Sequence, residues 1–193
     1  MQSPKKLILA SASPRRREIL AMAGYIFEIM SPQAEEIKGG LSPEELTVEN
    51  SRLKAKAALK EKNGVFICAD TVVCLDGEIL GKPKTKDGAR RMLCSLSGKT
   101  HSVITGYTVT DGEREVSGFC ETKVKMRHIF RDELEKYVES GECMDKAGAY
   151  GIQGAAGVFV SEIRGDYYTV VGLPLCKISE ILRENFGIIP FSQ

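Results

Sequence analysis

Apolar positions change their period several times along the chain, and each change marks a new element. The run "KLILA" predicts a strand over residues 5–10. Ser13 and Pro14, followed by Ile19, Leu20, Met22 and Ala23 at helical spacing, predict a helix over residues 14–23 that Gly24 ends. "YIFEIM" reads as a second strand leading into an acidic turn with Glu35 and Glu36. "SPEELTVENSRLKAKAALKEK" is the clearest helix, with Ser42 as cap, Pro43 in the first turn and Glu44 and Glu45 behind it. "VFICADTVVCL" and "EIL" flank Asp76-Gly77, a strong two-residue hairpin signal. A helix over "TKDGARRMLCSLSG", two strands around Asp111-Gly112 and a helix over "RDELEKYVESGE" follow. "DKAGAYGIQGAAGVFVSEIRGDYYTVVGL" begins Gly-rich and reads on as strands with a turn near Gly165. "PLCKISEILRENFG" closes the chain as a helix. Strand pairs mixed with helices predict an α/β or α+β fold with a mixed sheet, not a pure βαβ wind.

The two best-defined helix starts obey opposite electrostatics. Glu44 and Glu45 stand where the positive end of the helix dipole favours acids. Arg15, Arg16 and Arg17 stand at the same kind of position, where each cation costs a few tenths to ~1 kcal/mol. A neighbouring anion would remove the conflict, because helix-start N–H groups and guanidinium forks together suit phosphate. The alternative is a solvated basic turn whose arginines pair with surface carboxylates.

Composition narrows the anion's identity. The 193 residues suffice for one large domain or two small lobes with a real core. Lys and Arg total 27 against 26 Asp and Glu, a net charge of +1, so the arginine cluster is local. With no Trp and 7% aromatics, the chain lacks the basic face and stacking residues of a nucleic-acid binder, and a small anionic ligand is expected. Six cysteines without a C-x-x-C pair read as reduced cytosolic thiols. "MQSPKKLILA" is too short an apolar run for a signal peptide, and no stretch approaches the roughly 20 apolar residues of a membrane span. His101 and His128 show no zinc-site spacing.

Four stretches carry candidate chemistry. The first is the Ser13-Pro14-Arg15-Arg16 turn. The second is Asp70, a carboxylate in the apolar strand "FICADTVVCL", where burial unpaired would cost several kcal/mol. A Lys, an Arg, a bulge or a metal ion are the partners that would relieve it; the alternative is a carboxylate capping a neighbouring turn. Thr71 beside it faces either the opposite side of the strand or, through a bulge, the same cleft. The third is Gly81-Lys82-Pro83, a stiff turn that projects an ammonium but is not a P-loop. The fourth is the segment with glycines 148, 151, 154 and 157, which lacks dinucleotide-fold spacing and carries Gln153, a donor and acceptor suited to a base edge. Glu35 and Glu36 can bind a hard cation with Asp70, or form a solvated acidic turn. Cations for phosphate, carboxylates for metal and base, and an amide for a nucleobase fit metal-assisted hydrolysis of a nucleotide phosphoanhydride.

Taken in series, "SASPRR", "CADTVV", "GKP", "LSGKTHSVITG", "DKAGAYGIQG" and "VVGLPL" resemble the Maf family, over residues 7 to about 185. The resemblance implies nucleoside triphosphate pyrophosphatase activity, a hydrolase reaction releasing a monophosphate and pyrophosphate. It implies a two-lobed α/β fold similar to the inosine-triphosphate pyrophosphatases, a single domain over residues 1–193 with the active site in a cleft around a long mixed sheet. It further implies a divalent cation (Mg²⁺, Mn²⁺ or Co²⁺), a cytoplasmic location and, as for many members, a homodimer.

Carried over position by position, Asp70 resembles the family's catalytic base, and Ser13, Arg16, Glu36, Lys56 and Lys82 its cleft-lining polar residues. Arg15, Thr71 and Gln153 look like the dTTP/UTP-hydrolysing branch and not the 7-methyl-GTP branch. A Gln amide can pair with the O4/N3–H edge of thymine or uracil, which agrees with that assignment. Thr169 stands where the family more often has Asn, so altered contacts are expected there, not lost activity. Glu36 and Asp70 are expected to divide metal binding and base catalysis between them. The rival reading, a nucleotide-binding regulator of septum formation acting without turnover, would tolerate loss of Glu36, Asp70 or Lys82; all three are present.

Overall fold

Strand β1 (Leu7–Ala10) is buried along its whole length, as the unbroken apolar run "LILA" requires of a strand covered on both faces. The computed structural model, which describes residues 5–191, pairs it in parallel with β2 (Glu28–Met30) on one side and β3 (Val65–Leu75) on the other. Ile8 lies opposite Glu28 and Phe66 in that register. The ends of the expected 1–193 domain, including the opening "MQSP", lie outside the described residues. Between these strands run α1 (Pro14–Met22) and α2 (Pro43–Glu61). Beyond them come β4 (Glu78–Leu80), α3 (Lys86–Leu96), β5 (Thr100–Thr110), β6 (Glu115–Met126) and α4 (Arg131–Glu139). β7 (Val160–Arg164), α5 (Tyr167–Val171) and α6 (Leu175–Phe186) complete the chain. The strand order is β2-β1-β3-β5-β6-β7, with β4 on β3. Parallel β1 pairings and antiparallel β3–β4 and β6–β7 pairings make it the mixed α/β sheet that the sequence pattern predicts.

The chain divides into two compact units. One comprises Met1–Asp70, Thr105–Cys120 and Gly172–Gln193; the other comprises Thr71–Ile104 and Glu121–Val171. In the first, Ile8, Ala10, Ala55, Ala58, Phe66 and Cys68 form a core between α2 and the strands. At Gly106 of β5 a Cβ would fall 2.3 Å from the Thr47 carbonyl carbon, so only glycine lets α2 lie this close. Ser51 Oγ meets Thr108 Oγ1 at 2.7 Å beside that contact, and Thr108 Oγ1 meets Ser117 Oγ at 3.0 Å. These contacts fix which face of α2 looks inward.

The second unit closes on a larger apolar cluster that includes Leu93, Leu96, Val124, Met126, Leu134 and Phe159. Asp76 and Gly77 both adopt positive φ (51° and 85°), as a tight hairpin turn between β3 and β4 demands. After Gly165 the structure departs from the sequence expectation: "YYTVV" is helix α5, not strand. The reason is local. One oxygen of the Asp166 carboxylate accepts from the Tyr168 N–H (3.1 Å), and the other from the Thr169 N–H (2.9 Å) and hydroxyl (2.8 Å). That cap nucleates a turn against the β-preference of aromatic and β-branched side chains. Among the described residues, no helix is long and apolar enough to cross a membrane.

Candidate functional site

The inward stripe of α2 sets the first part of the site. Thr47 and Ser51 face β5, while Asn50 and Lys54, four residues apart, form the adjoining row. Lys54 Nζ reaches both Asp70 Oδ1 and Glu36 Oε1 at 2.8 Å. Buried Asn50 donates from Nδ2 to Asp70 Oδ2 (3.1 Å) and to the Ile37 carbonyl (3.1 Å), and accepts the Ile37 N–H at 2.8 Å. One amide thus ties α2, the loop bearing Glu36 and the Asp70 carboxylate together. Both oxygens of Asp70 are held, which resolves how a carboxylate is tolerated in this strand: its partners are an ammonium and an amide. The Asp70 and Lys54 side chains are each only 16% exposed, against 49% for Glu36. Asp70 is therefore the fixed carboxylate and Glu36 the more solvated one.

Lys56, the lysine carried into the site from the sequence, is exposed and belongs elsewhere on the helix. Two residues turn an α-helix by about 200°, so a helix that sends Lys54 to Asp70 sends Lys56 away from it. Lys54 and Asn50 are the residues that sequence reading missed. A signal was available: the small residues Ser51, Ala55 and Ala58 mark the packed face, and the row beside it contains positions 50 and 54.

The second part is the start of α1. Ser13 occupies the cap position, but its hydroxyl makes no capping hydrogen bond, and no acid stands in the first turn. The anchor is tertiary. Arg16 Nε donates to the Gly172 carbonyl (2.7 Å), and one Arg16 terminal nitrogen donates to the Ala69 carbonyl (2.9 Å) and to Ser11 Oγ (3.2 Å). Arg16 thereby binds the helix start to the strand segment preceding Asp70. Burial presses its guanidinium below the usual arginine range, and the Asp70 carboxylate opposes that shift. Arg15 is half-buried on α1, and Arg17 is exposed. Cys68, two residues before Asp70, is buried with its thiol pushed up to about 12. It is a packing residue and not a nucleophile.

Thr71, Lys82 and Gln153 belong to the second unit. Thr71 is half-buried on β3, Lys82 is exposed after β4, and Gln153 is exposed in a turn. The Gly148 N–H donates to the Gly81 carbonyl (3.1 Å), joining the glycine-rich segment to the Gly81-Lys82-Pro83 turn. Thr169 is fully buried, and its hydroxyl is spent on Asp166.

The carboxylate pair suits a hard cation. Glu36 and Asp70 converge on one ammonium, so they lie close enough to share a positive charge, and both offer oxygen donors. Among the described residues no three His, Cys, Asp or Glu side chains gather into a complete cage. That donor set matches Mg²⁺ chemistry, in which one or two carboxylates act with substrate phosphates and water.

Three curated relatives share this chain nearly end to end. The dTTP/UTP pyrophosphatase of Thermococcus gammatolerans is 48% identical, over 95% of this chain and 98% of its own. Those of Bacillus pumilus (46%; 96% and 99%) and Alkaliphilus oremlandii (49%; 95% and 98%) are similar to the same degree. The solved structure of a HAM1 protein from Coxiella burnetii superposes with a TM-score of 0.54 at 17% identity, covering 93% of this chain and 99% of its own, and so shares the fold. The Maf-like protein model matches residues 6–185, and the chain belongs to the Maf family.

Proposed function

We propose that this chain hydrolyses dTTP and UTP between the α and β phosphates, yielding the monophosphate and pyrophosphate. The observation that carries this reading is the Asp70 carboxylate, held at both oxygens by Lys54 and Asn50 beside Glu36. Relatives 46–49% identical over nearly their whole length, each named dTTP/UTP pyrophosphatase, support the substrate assignment.

In this mechanism the first-turn N–H groups of α1, Ser13, Arg15 and Arg16 favour the triphosphate, whose charge balances the helix dipole and the arginines. Lys82 adds a flexible ammonium. Asp70 takes a proton from the attacking water. Lys54 and Asn50 fix its orientation while leaving further lone pairs on each oxygen for that proton. A positioned base of this kind contributes typically 10²–10⁴-fold. Glu36 and Asp70 would hold a Mg²⁺, Mn²⁺ or Co²⁺ ion, which supplies charge neutralisation at the phosphates when bound. The Gln153 amide reads the O4/N3–H edge of thymine or uracil, with Thr71 and Arg15 completing substrate selection. Six thiols without a disulfide among the described residues, and a substrate drawn from the nucleotide pool, suit the cytoplasm.

The test is pyrophosphate release from a panel of nucleoside triphosphates with each divalent cation in turn. Preference for dTTP and UTP is expected. Preference for 7-methyl-GTP, or release of orthophosphate alone, would overturn the reading.

A further inference from the structure

Gln153 stands in the middle of a turn closed by the Gly154 N–H on the Gly151 carbonyl (3.1 Å), and side chains from the preceding segment brace that turn. At its C-terminal side in the chain, Glu142 Oε2 accepts the Ala155 N–H at 3.1 Å. Glu142 Oε1 lies so near Gly154 that a Cβ there would fall 2.0 Å from it, so the carboxylate fills the space a side chain would need. Tyr150, which leads directly into Gly151, is buried, and its hydroxyl meets His101 Nε2 at 2.7 Å, the rings edge to face at 5.4 Å. At the turn's first residue, the Lys146 stem packs against Gly151 while its ammonium donates to the Glu142 carbonyl at 2.6 Å. Glu142 is common to the contacts at both ends of the turn, through its carboxylate at Gly154 and Ala155 and its carbonyl at Lys146. An exposed glutamine on a glycine-flanked turn would otherwise lose conformational entropy on meeting a ligand.

We propose that Glu142 and the Tyr150–His101 pair are positioning residues for base recognition, holding the Gln153 turn so that its amide meets the pyrimidine edge already placed. The proposal rests on the reading of Gln153 given above. Neither Glu142 nor Tyr150 takes part in the chemistry, so their loss acts on binding of the base and leaves water attack in place.

The experiment compares steady-state kinetics on dTTP and dCTP for wild type, Gln153→Ala, Glu142→Ala, Glu142→Gln and Tyr150→Phe, with circular dichroism of each protein. Gln153→Ala is expected to collapse the preference for dTTP over dCTP. Glu142→Ala and Tyr150→Phe are expected to raise KM for dTTP about tenfold, with kcat within about twofold and KM for dCTP little changed. Glu142→Gln, which retains an acceptor for the Ala155 N–H, restores most of the loss. Tyr150→Phe removes a single hydroxyl, so it tests the brace even where Glu142→Ala fails to fold. If Gln153→Ala collapses the preference but Tyr150→Phe and Glu142→Gln match wild type while folded Glu142→Ala keeps the dTTP preference, the positioning role is overturned and the base reading stands. If Gln153→Ala keeps the dTTP preference, the reading of Gln153 fails and the proposal fails with it.

Discussion

The two units are each marked by a different kind of buried polar group. The first keeps ions: Arg16, Lys54 and Asp70 lie half-buried in a network completed by Asn50. The second keeps a neutral pair, His101 with Tyr150, beside a core of apolar side chains. Burial drives the His101 pKa down to about 4 and pushes the Tyr150 phenol above its ordinary range, so neither carries charge near neutrality. Buried ion pairs are seldom the cheapest route to stability, since desolvation offsets much of their attraction. Charges retained in the first unit therefore point to chemistry, and the neutral pair in the second points to shape. The helix starts within the first unit repeat the lesson. α2 satisfies itself with the Ser42–Glu45 capping box, whereas α1 has neither a side-chain cap nor an acid in its first turn.

Substitutions can break that contrast. Asp70→Asn preserves shape and removes the base, so turnover of dTTP should fall about 10²–10⁴-fold while isothermal titration still detects nucleotide binding. Lys54→Met should cost about 10–100-fold in kcat/KM, the worth of a charge-assisted hydrogen bond, while Lys56→Ala should stay within about twofold. Equal losses from the two lysines would refute the phase assigned to α2.

The neutral pair is tested by acid. His101 has a depressed folded pKa, so the unfolded chain binds its proton first as pH falls through 6.5. Stability from this group is complete above that value and is lost progressively down to about 4. Between pH 7.5 and 5 it should account for about 2 kcal/mol of lost unfolding free energy, measurable by denaturant titration. His101→Gln, which cannot titrate, should flatten that slope. The smallest effect separates the helix starts. Ser42→Ala should cost about 1 kcal/mol of stability, and Ser13→Ala only a few tenths, because its hydroxyl caps nothing. Ser13→Ala should instead raise KM for dTTP.

Much of this was legible in the chain itself. The capping box, the Asp76-Gly77 hairpin and the order of strands and helices follow from local rules, and six motifs in series pointed to the family. Legibility failed where a side chain's role depends on helix phase or on a single cap. Lys56 and Lys54 are equivalent in composition, and only the close approach of α2 at Gly106 decides which one turns inward. Asn50 joins two segments 13 residues away and 20 residues away, a link that no local pattern encodes. α5 went unread because Asp166, one residue, outweighs the strand preference of five.

The most direct test follows dTTP hydrolysis by ³¹P NMR in ¹⁸O-enriched water. The account predicts thymidine monophosphate and pyrophosphate in equal amounts, with a single ¹⁸O introduced at the bond cleaved between the α and β phosphates. Thymidine diphosphate with orthophosphate would contradict it.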